Sequence, residues 1–184
     1  PGERALPQSS LTALKALRAT GRVKLLGVSG DAEVMDAYVS TGAFDVLVTP
    51  CNIHSDWRVR ARIRSAREQD MAIFAYDYYP AGLHGQPDPI ETSTRKRGLF
   101  GLGGGAAAKP LPAAYDAFAF LHQARNWSAE AICLAHALTD SSLTSIIVGA
   151  GDAGRLAELA ATPEREMPPG LAAQIEMARL SPSA

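Results

Sequence analysis

Cysteine is scarce: the 184-residue chain has only Cys51 and Cys133. Two thiols do not make the disulfide framework of a small secreted domain, and no His or Cys stands at metal-ligand spacing. A charge excess is missing too. Lys and Arg total 18 against 19 Asp and Glu, a net charge of -1, so bulk charge does not mark a polyanion binder. The apolar content of 47% excludes disorder by composition. No run approaches the roughly 20 apolar residues of a membrane helix. No signal peptide is visible, because Pro1-Gly2-Glu3-Arg4 leads into a polar, Ser-containing stretch. These absences point to a reduced, cytoplasmic setting. Asn126-Trp127-Ser128 matches a glycosylation pattern, but without a secretory signal it reads as coincidence. The chain starts at Pro1 with no initiator Met and reads as a piece of something longer.

What is present is an alternation of helical and strand-like patterns. Ser9–Thr20 reads as a helix capped by Ser9 or Ser10, with Leu11, Leu14 and Leu17 at helical spacing and Gly21 as its stop. Val23–Ser29 reads as a strand. Asp31 is expected to cap a helix through Thr41, with Val34, Ala37 and Tyr38 on its inner face and Gly42 closing it. Phe44–Thr49 is the next strand, ended by Pro50. Ser55 or Asp56 opens a third helix whose apolar side is Val59, Ile63 and Ala66. Its arginines, at 58, 60, 62, 64 and 67, are diluted by acids and have no interleaved aromatics, so they read as a solvated face rather than a nucleic-acid surface. Met71–Tyr76 is the third strand.

Residues 77–112 read as one long flexible loop, a lid or linker. The loop holds Arg95-Lys96-Arg97 and the cluster Gly101-Leu102-Gly103-Gly104-Gly105. That cluster imitates a dinucleotide fingerprint, but no strand precedes it. Helices are expected over Ala113–Arg125, from the Ser128 cap to Leu138, and over Leu171–Leu180. His122 and His136 have no partner at ligand spacing and read as ordinary helix residues, while Cys133 reads as a small core residue.

Between them lies the stretch with the most chemistry, Ser145 to Glu158. A β-branched run, Ile146 to Val148, reads as a buried parallel strand. It turns through Gly149, Gly151 and Gly154 into a helix that Asp152 can cap. A helix N-terminus after a glycine turn presents unpaired N–H groups and a favourable dipole to an anion, and Arg155 adds a cation in the first turn. Alternating strands and helices mean parallel βα units with right-handed crossovers. The four strands suit either a small open doubly wound sheet or half of a (β/α)8 TIM barrel, whose full form needs about 250 residues.

Leu14–Ser29, LKALRATGRVKLLGVS, resembles the aldo-keto reductase segment in which a helix and a glycine lead into a strand ending Gly-Val-Ser. Phe44-Asp45-Val46-Leu47 followed by Asn52 resembles that family's next strand, MAIFAY the strand carrying its Ala-Tyr, and Ser128-Ala129-Glu130-Ala131 with Ser145–Glu158 its last barrel unit. The resemblance implies an α/β fold made of parallel βα units of an incomplete (β/α)8 TIM barrel. Residues 1–184 would be a single C-terminal half-barrel, strands five to eight, of an NADP(H)-dependent carbonyl reductase.

Residue by residue, it places Ser29 on the nicotinamide carboxamide and the Tyr76 ring against the nicotinamide. It places Gly149 at the pyrophosphate and adenosine end, Arg155 on the adenosine 2′-phosphate and Glu158 on the adenine. Gly30 stands where the family has Asn, Val48 where it usually has Gln, Cys51 where Tyr is common, and Asp77-Tyr78 where it has Ser-Pro. The family's catalytic Asp, Tyr, Lys and His lie on the first four strands, so no catalytic residue is assigned here. Two functions follow as expectations. One is the cofactor-binding half of an oxidoreductase, inactive alone, whose complete form takes NADP(H) and a small carbonyl substrate. The other is a non-catalytic half-barrel that binds or assembles with a missing half or with itself. Neither involves nucleic acid, a membrane or a metal.

Overall fold

The computed structural model describes residues 7–84 and 113–180. In chain order the elements are α1 (Gln8–Ala19), β1 (Gly27–Ser29), α2 (Val34–Ser40), β2 (Val46–Pro50), α3 (Trp57–Glu68), β3 (Ala72–Tyr76) and a 3-10 turn at Ala81–Leu83. A 3-10 helix, Ala113–Gln123, is followed by α4 (Ala129–Leu138), β4 (Ser145–Ile146), α5 (Ala153–Ala161), a 3-10 turn at Thr162–Glu164 and α6 (Leu171–Leu180). Of the loop expected over 77–112, residues 85–112, with the Arg-Lys-Arg run and the glycine cluster, lie outside the described residues.

The chain divides into two compact units, one of Pro1–Cys51, Ser55–Tyr78 and Asp140–Val148, the other of Asn52–His54, Tyr79–Thr139 and Gly149–Ala184. The first holds the sheet. Its four strands are all parallel and lie in the order β1-β2-β3-β4. A doubly wound sheet reverses direction at a switch point and carries helices on both faces. Here each strand pairs with the next in sequence, and α1, α2 and α3 share one core with a single face. Leu47 and Ile73, both fully buried, pack with Met35 and Val39 of α2, Ile63 and Ala66 of α3, and Leu11 of α1. The opposite face, Val46, Val48 and Pro50 with Ala72, Phe74 and Tyr76, is half-buried along its length. One-way winding with helices outside is the geometry of a βα barrel, which leaves the incomplete barrel and removes the open doubly wound alternative.

Several local expectations hold for the expected reason. Asp56 caps α3, accepting from the N–H groups of Arg58 at 2.9 Å and Val59 at 3.1 Å. Gly21 and Gly42 follow the ends of α1 and α2 at φ 72° and 62°, the left-handed conformation that terminates a helix.

Others need correction. Ser9 and Ser10 lie inside α1, which starts after Pro7 without a side-chain cap. Asp31 does not cap α2, which begins at Val34; its buried residues are Met35 and Val39, Tyr38 packs against the same core as expected, and Ala37 is exposed. The first strand starts only at Gly27, with Leu25 64% exposed before it. The last strand is parallel but not buried: Ser145 is exposed and Ile147 is 49% exposed. It closes the row on β3, and among the described residues no further strand covers it. The arginine face of α3 is also not uniformly solvated, because Arg62 is 4% exposed.

Among the described residues the second unit is helical apart from its loops. In α4 seven residues are buried, among them Ile132, Cys133 and Leu134, so the helix is covered on most sides. Leu159 of α5 and Leu171 and Ile175 of α6 are buried in the same unit. The expected α-helix at 113–125 is a 3-10 helix, Ala113–Gln123. Phe118 and Leu121, three apart, are both buried, and a repeat of three per turn stacks them on one edge. Among the described residues no helix is long and apolar enough to cross a membrane.

Candidate functional site

The carboxyl ends of β1, β2 and β3 bring Ser29, Cys51 and Tyr76 to one edge of the sheet. Ser29 is level with Val48, Val48 with Phe74, and Pro50 with Tyr76, so Tyr76 stands two residues beyond the Ser29 row. Neighbouring strands are about 4.8 Å apart and alternate residues share a face, so Ser29 and Tyr76 belong to the same half-buried face. The Cys51 N–H donates to the Tyr76 carbonyl at 3.0 Å, continuing the ladder past Pro50.

Gly30 follows Ser29 at φ 156°, and its N–H donates to the Val48 carbonyl at 3.1 Å. A Cβ there would lie 3.1 Å from the Met35 sulfur. The residue that departs from the related pattern is therefore one that this backbone requires.

Burial pushes the Tyr76 phenol up, and the negative charges of Asp31 and Asp77 push it the same way. Tyr76 stays a neutral ring at physiological pH, suited to stacking and poorly suited to giving up a proton. The Cys51 thiol is also raised, first by burial and then by Asp140, against a Ser55 hydrogen bond and Arg60. That makes it a weak nucleophile. Nearby in sequence, Tyr78 is 5% exposed, and the Tyr79 hydroxyl donates to the Leu83 carbonyl at 3.1 Å.

The other three candidates lie in the second unit. Asp152 caps α5, accepting from the Arg155 N–H at 2.9 Å. Gly149 and Gly151 leave the turn before it open: a Cβ at either would meet nothing within 4 Å. Arg155 and Glu158, three apart on α5, share a face, and both reach the first turn of α4. The Arg155 Nη2 donates to Glu130 Oε1 at 2.7 Å. The Ser128 hydroxyl donates to Glu158 Oε1 at 3.0 Å while accepting from the Ala131 N–H at 3.1 Å as the cap of α4.

The structure thus brings Gly149, Arg155 and Glu158 together at one helix start, and Ser29 and Tyr76 together at one sheet edge. Glu130 and the second role of Ser128 escape the sequence, since nothing local marks a side chain for a partner 25 or 30 residues away. His136 contacts Glu176 at 3.2 Å and so ties α4 to α6. Among the described residues no group of three or more His, Cys, Asp or Glu is placed to hold a metal.

Solved structures carry the comparison. An aldo-keto reductase from Bacillus halodurans superimposes with a TM-score of 0.60 in its holo form, at 14% identity, over 92% of this chain and 55% of that one. Its apo form gives 0.62 at 14% identity, over 96% and 59%. An aldose reductase from Giardia lamblia gives 0.61 at 14%, over 97% and 52%. The chain has the fold of part of an aldo-keto reductase barrel. It spans between 52% and 59% of the length of these aldo-keto reductases. No family model and no curated protein matches the sequence.

The cofactor that the sequence resemblance implies is a pyridine dinucleotide. The open turn at Gly149 and Gly151 leaves room for an anionic group. The first-turn N–H groups of Ala153 and Gly154 have no intrahelical acceptor. Half-buried Tyr76 and exposed Ser29 suit a ring and an amide. Each set, taken by itself, suits one end of such a group, with one opposing feature: the Arg155 guanidinium is already held by Glu130.

Proposed function

We propose that this chain is the NADP(H)-binding, C-terminal half of an aldo-keto reductase-type oxidoreductase, strands five to eight of its barrel, and that the complete barrel reduces aldehydes or ketones. The observation that carries the reading is the one-way parallel sheet, with Ser29 and Tyr76 at the carboxyl ends of its strands. Barrel enzymes place their chemistry at that end. The dinucleotide, when bound, supplies the hydride.

This chain's residues bind and orient. The Ser29 hydroxyl holds the carboxamide. The neutral Tyr76 ring stacks and sets which face of the nicotinamide is presented. The open turn at Gly149 admits the anionic end, and Arg155 and Glu158 meet the adenosine. No residue here is assigned to acid–base catalysis, so the 184-residue chain alone oxidises no NADPH with an aldehyde panel. Titrating NADPH fluorescence with the chain and with Arg155→Ala tests the reading. Weaker binding by the variant supports it, and equal binding removes Arg155 from the site.

A second reading is favoured by the half-buried inner face of β2 and β3, where Val48 and Phe74 lie side by side in register. In a closed barrel such positions are packed inside. The same chain would then serve as an assembly module that covers this face by self-association or with a complementary half. A sharp monomer in solution with cooperative unfolding counts against this second reading.

A further inference from the structure

We propose that Glu130 sets the dinucleotide preference of this site by holding Arg155, so that the 2′-phosphate of NADP(H) binds only when that ion pair opens. The inference rests on the reading of Arg155 as the residue facing the adenosine. The Glu130 side chain is 13% exposed and that of Arg155 45%, so the acid is anchored in the protein and the guanidinium is the accessible partner. At 2.7 Å the contact is a short, charge-assisted hydrogen bond.

The surrounding charge works in the same direction. Glu158, on the same face of α5, is oriented by Ser128, and Asp152 caps the helix. Asp152 and Glu158 are thus two further carboxylates within one turn of Arg155 on α5. A phosphate dianion must take the guanidinium from Glu130 and approach the carboxylates without their neutralising partner. A ribose 2′-hydroxyl carries no charge and does not compete with Glu130 for the guanidinium. Glu130 therefore costs NADP(H) affinity and leaves NAD(H) affinity unaffected. Glutamine at this position keeps the size and an acceptor oxygen for Arg155 but removes the charge.

The test compares NADPH and NADH by fluorescence titration at neutral pH and fixed ionic strength, using the 184-residue chain, Glu130→Gln and Glu130→Ala. Thermal unfolding of each checks that the variants are folded. The expected result is tighter NADPH binding in both variants, by roughly fivefold, the scale of one partly exposed ion pair. NADH binding is expected to stay within about twofold, a change of roughly 0.4 kcal/mol. An unchanged NADPH-to-NADH ratio, or equal tightening of both, overturns the role of Glu130 and leaves the dinucleotide reading standing. Failure of all three proteins to bind either dinucleotide overturns that reading, and the role of Glu130 with it.

Discussion

Arg62 of α3 donates through Nε to the Asp36 carboxylate of α2 and through its two terminal nitrogens to the carbonyls of Asp31 and Ala32, each at 3.0 Å. This buried guanidinium fixes the connection between β1 and α2, and with it the backbone just beyond Ser29. Replacing it with Met keeps the stem but strips two carbonyls and a carboxylate of their donor. Asp36 is 47% exposed and can resolvate in part, so Arg62→Met is expected to cost about 2–3 kcal/mol rather than the full penalty of a broken buried pair. Arg64→Met, on the exposed part of α3, is expected to change stability by less than about 0.5 kcal/mol. Urea unfolding midpoints compare them, and equal midpoints would mean that the Arg62 contacts contribute nothing.

Ser128 performs two tasks at the start of α4, and Asp152 one at the start of α5. Loss of a cap costs about 1 kcal/mol. Asp152→Ala is expected to show that loss. Ser128→Ala is expected to exceed it by about 0.5–1 kcal/mol, because Glu158 loses its donor as well. A double-mutant cycle of Ser128→Ala with Glu158→Ala isolates the second part, and a coupling energy of zero would remove the Ser128–Glu158 bond.

Restoring the related pattern at position 30 is expected to fail. Asn at Gly30 must adopt φ 156° and bring a Cβ to 3.1 Å from the Met35 sulfur. The expected cost is about 1–3 kcal/mol, mostly backbone strain, read as a lower unfolding midpoint. A midpoint equal to the parent's would show that the backbone there tolerates a side chain.

Tyr76 gives a pH signature. Its folded pKa lies above the ordinary tyrosine value, so its contribution to stability is complete below that value. It is lost as pH rises through the ordinary value toward the folded one, where the unfolded chain has already released its proton. Stability of the parent should fall more steeply than that of Tyr76→Phe on the alkaline side. Asp77→Asn should lower the phenol's titration midpoint in the ultraviolet phenolate band, since one of the charges that raises it is gone. A midpoint that does not move would remove Asp77 from the Tyr76 environment.

The sequence determined the local punctuation of this protein. Apolar runs bounded by glycine and proline mark where strands lie. Asp56, Ser128 and Asp152 mark where helices start, because a cap bonds to N–H groups two or three residues on and needs nothing distant. Alternation of the two periods determined parallel βα units. The sequence also separated the two groups of candidate residues, one at strand ends and one at a helix start.

Tertiary structure alone decided the rest. Four strands in sequence order do not say whether the sheet reverses; the shared core of Leu47, Ile73 and three helices on one face decides that it does not. The exposure of Ile147 follows from its place at the end of the row, and its β-branched side chain carries no sign of it. Arg62 is indistinguishable in sequence from the arginines around it and is buried because Asp36 and two carbonyls converge there. Glu130 and Arg155 are 25 residues apart on different helices. Local periodicity reports which face a residue occupies, but not which charge from another element meets it, and at this helix start that charge is Glu130 on Arg155.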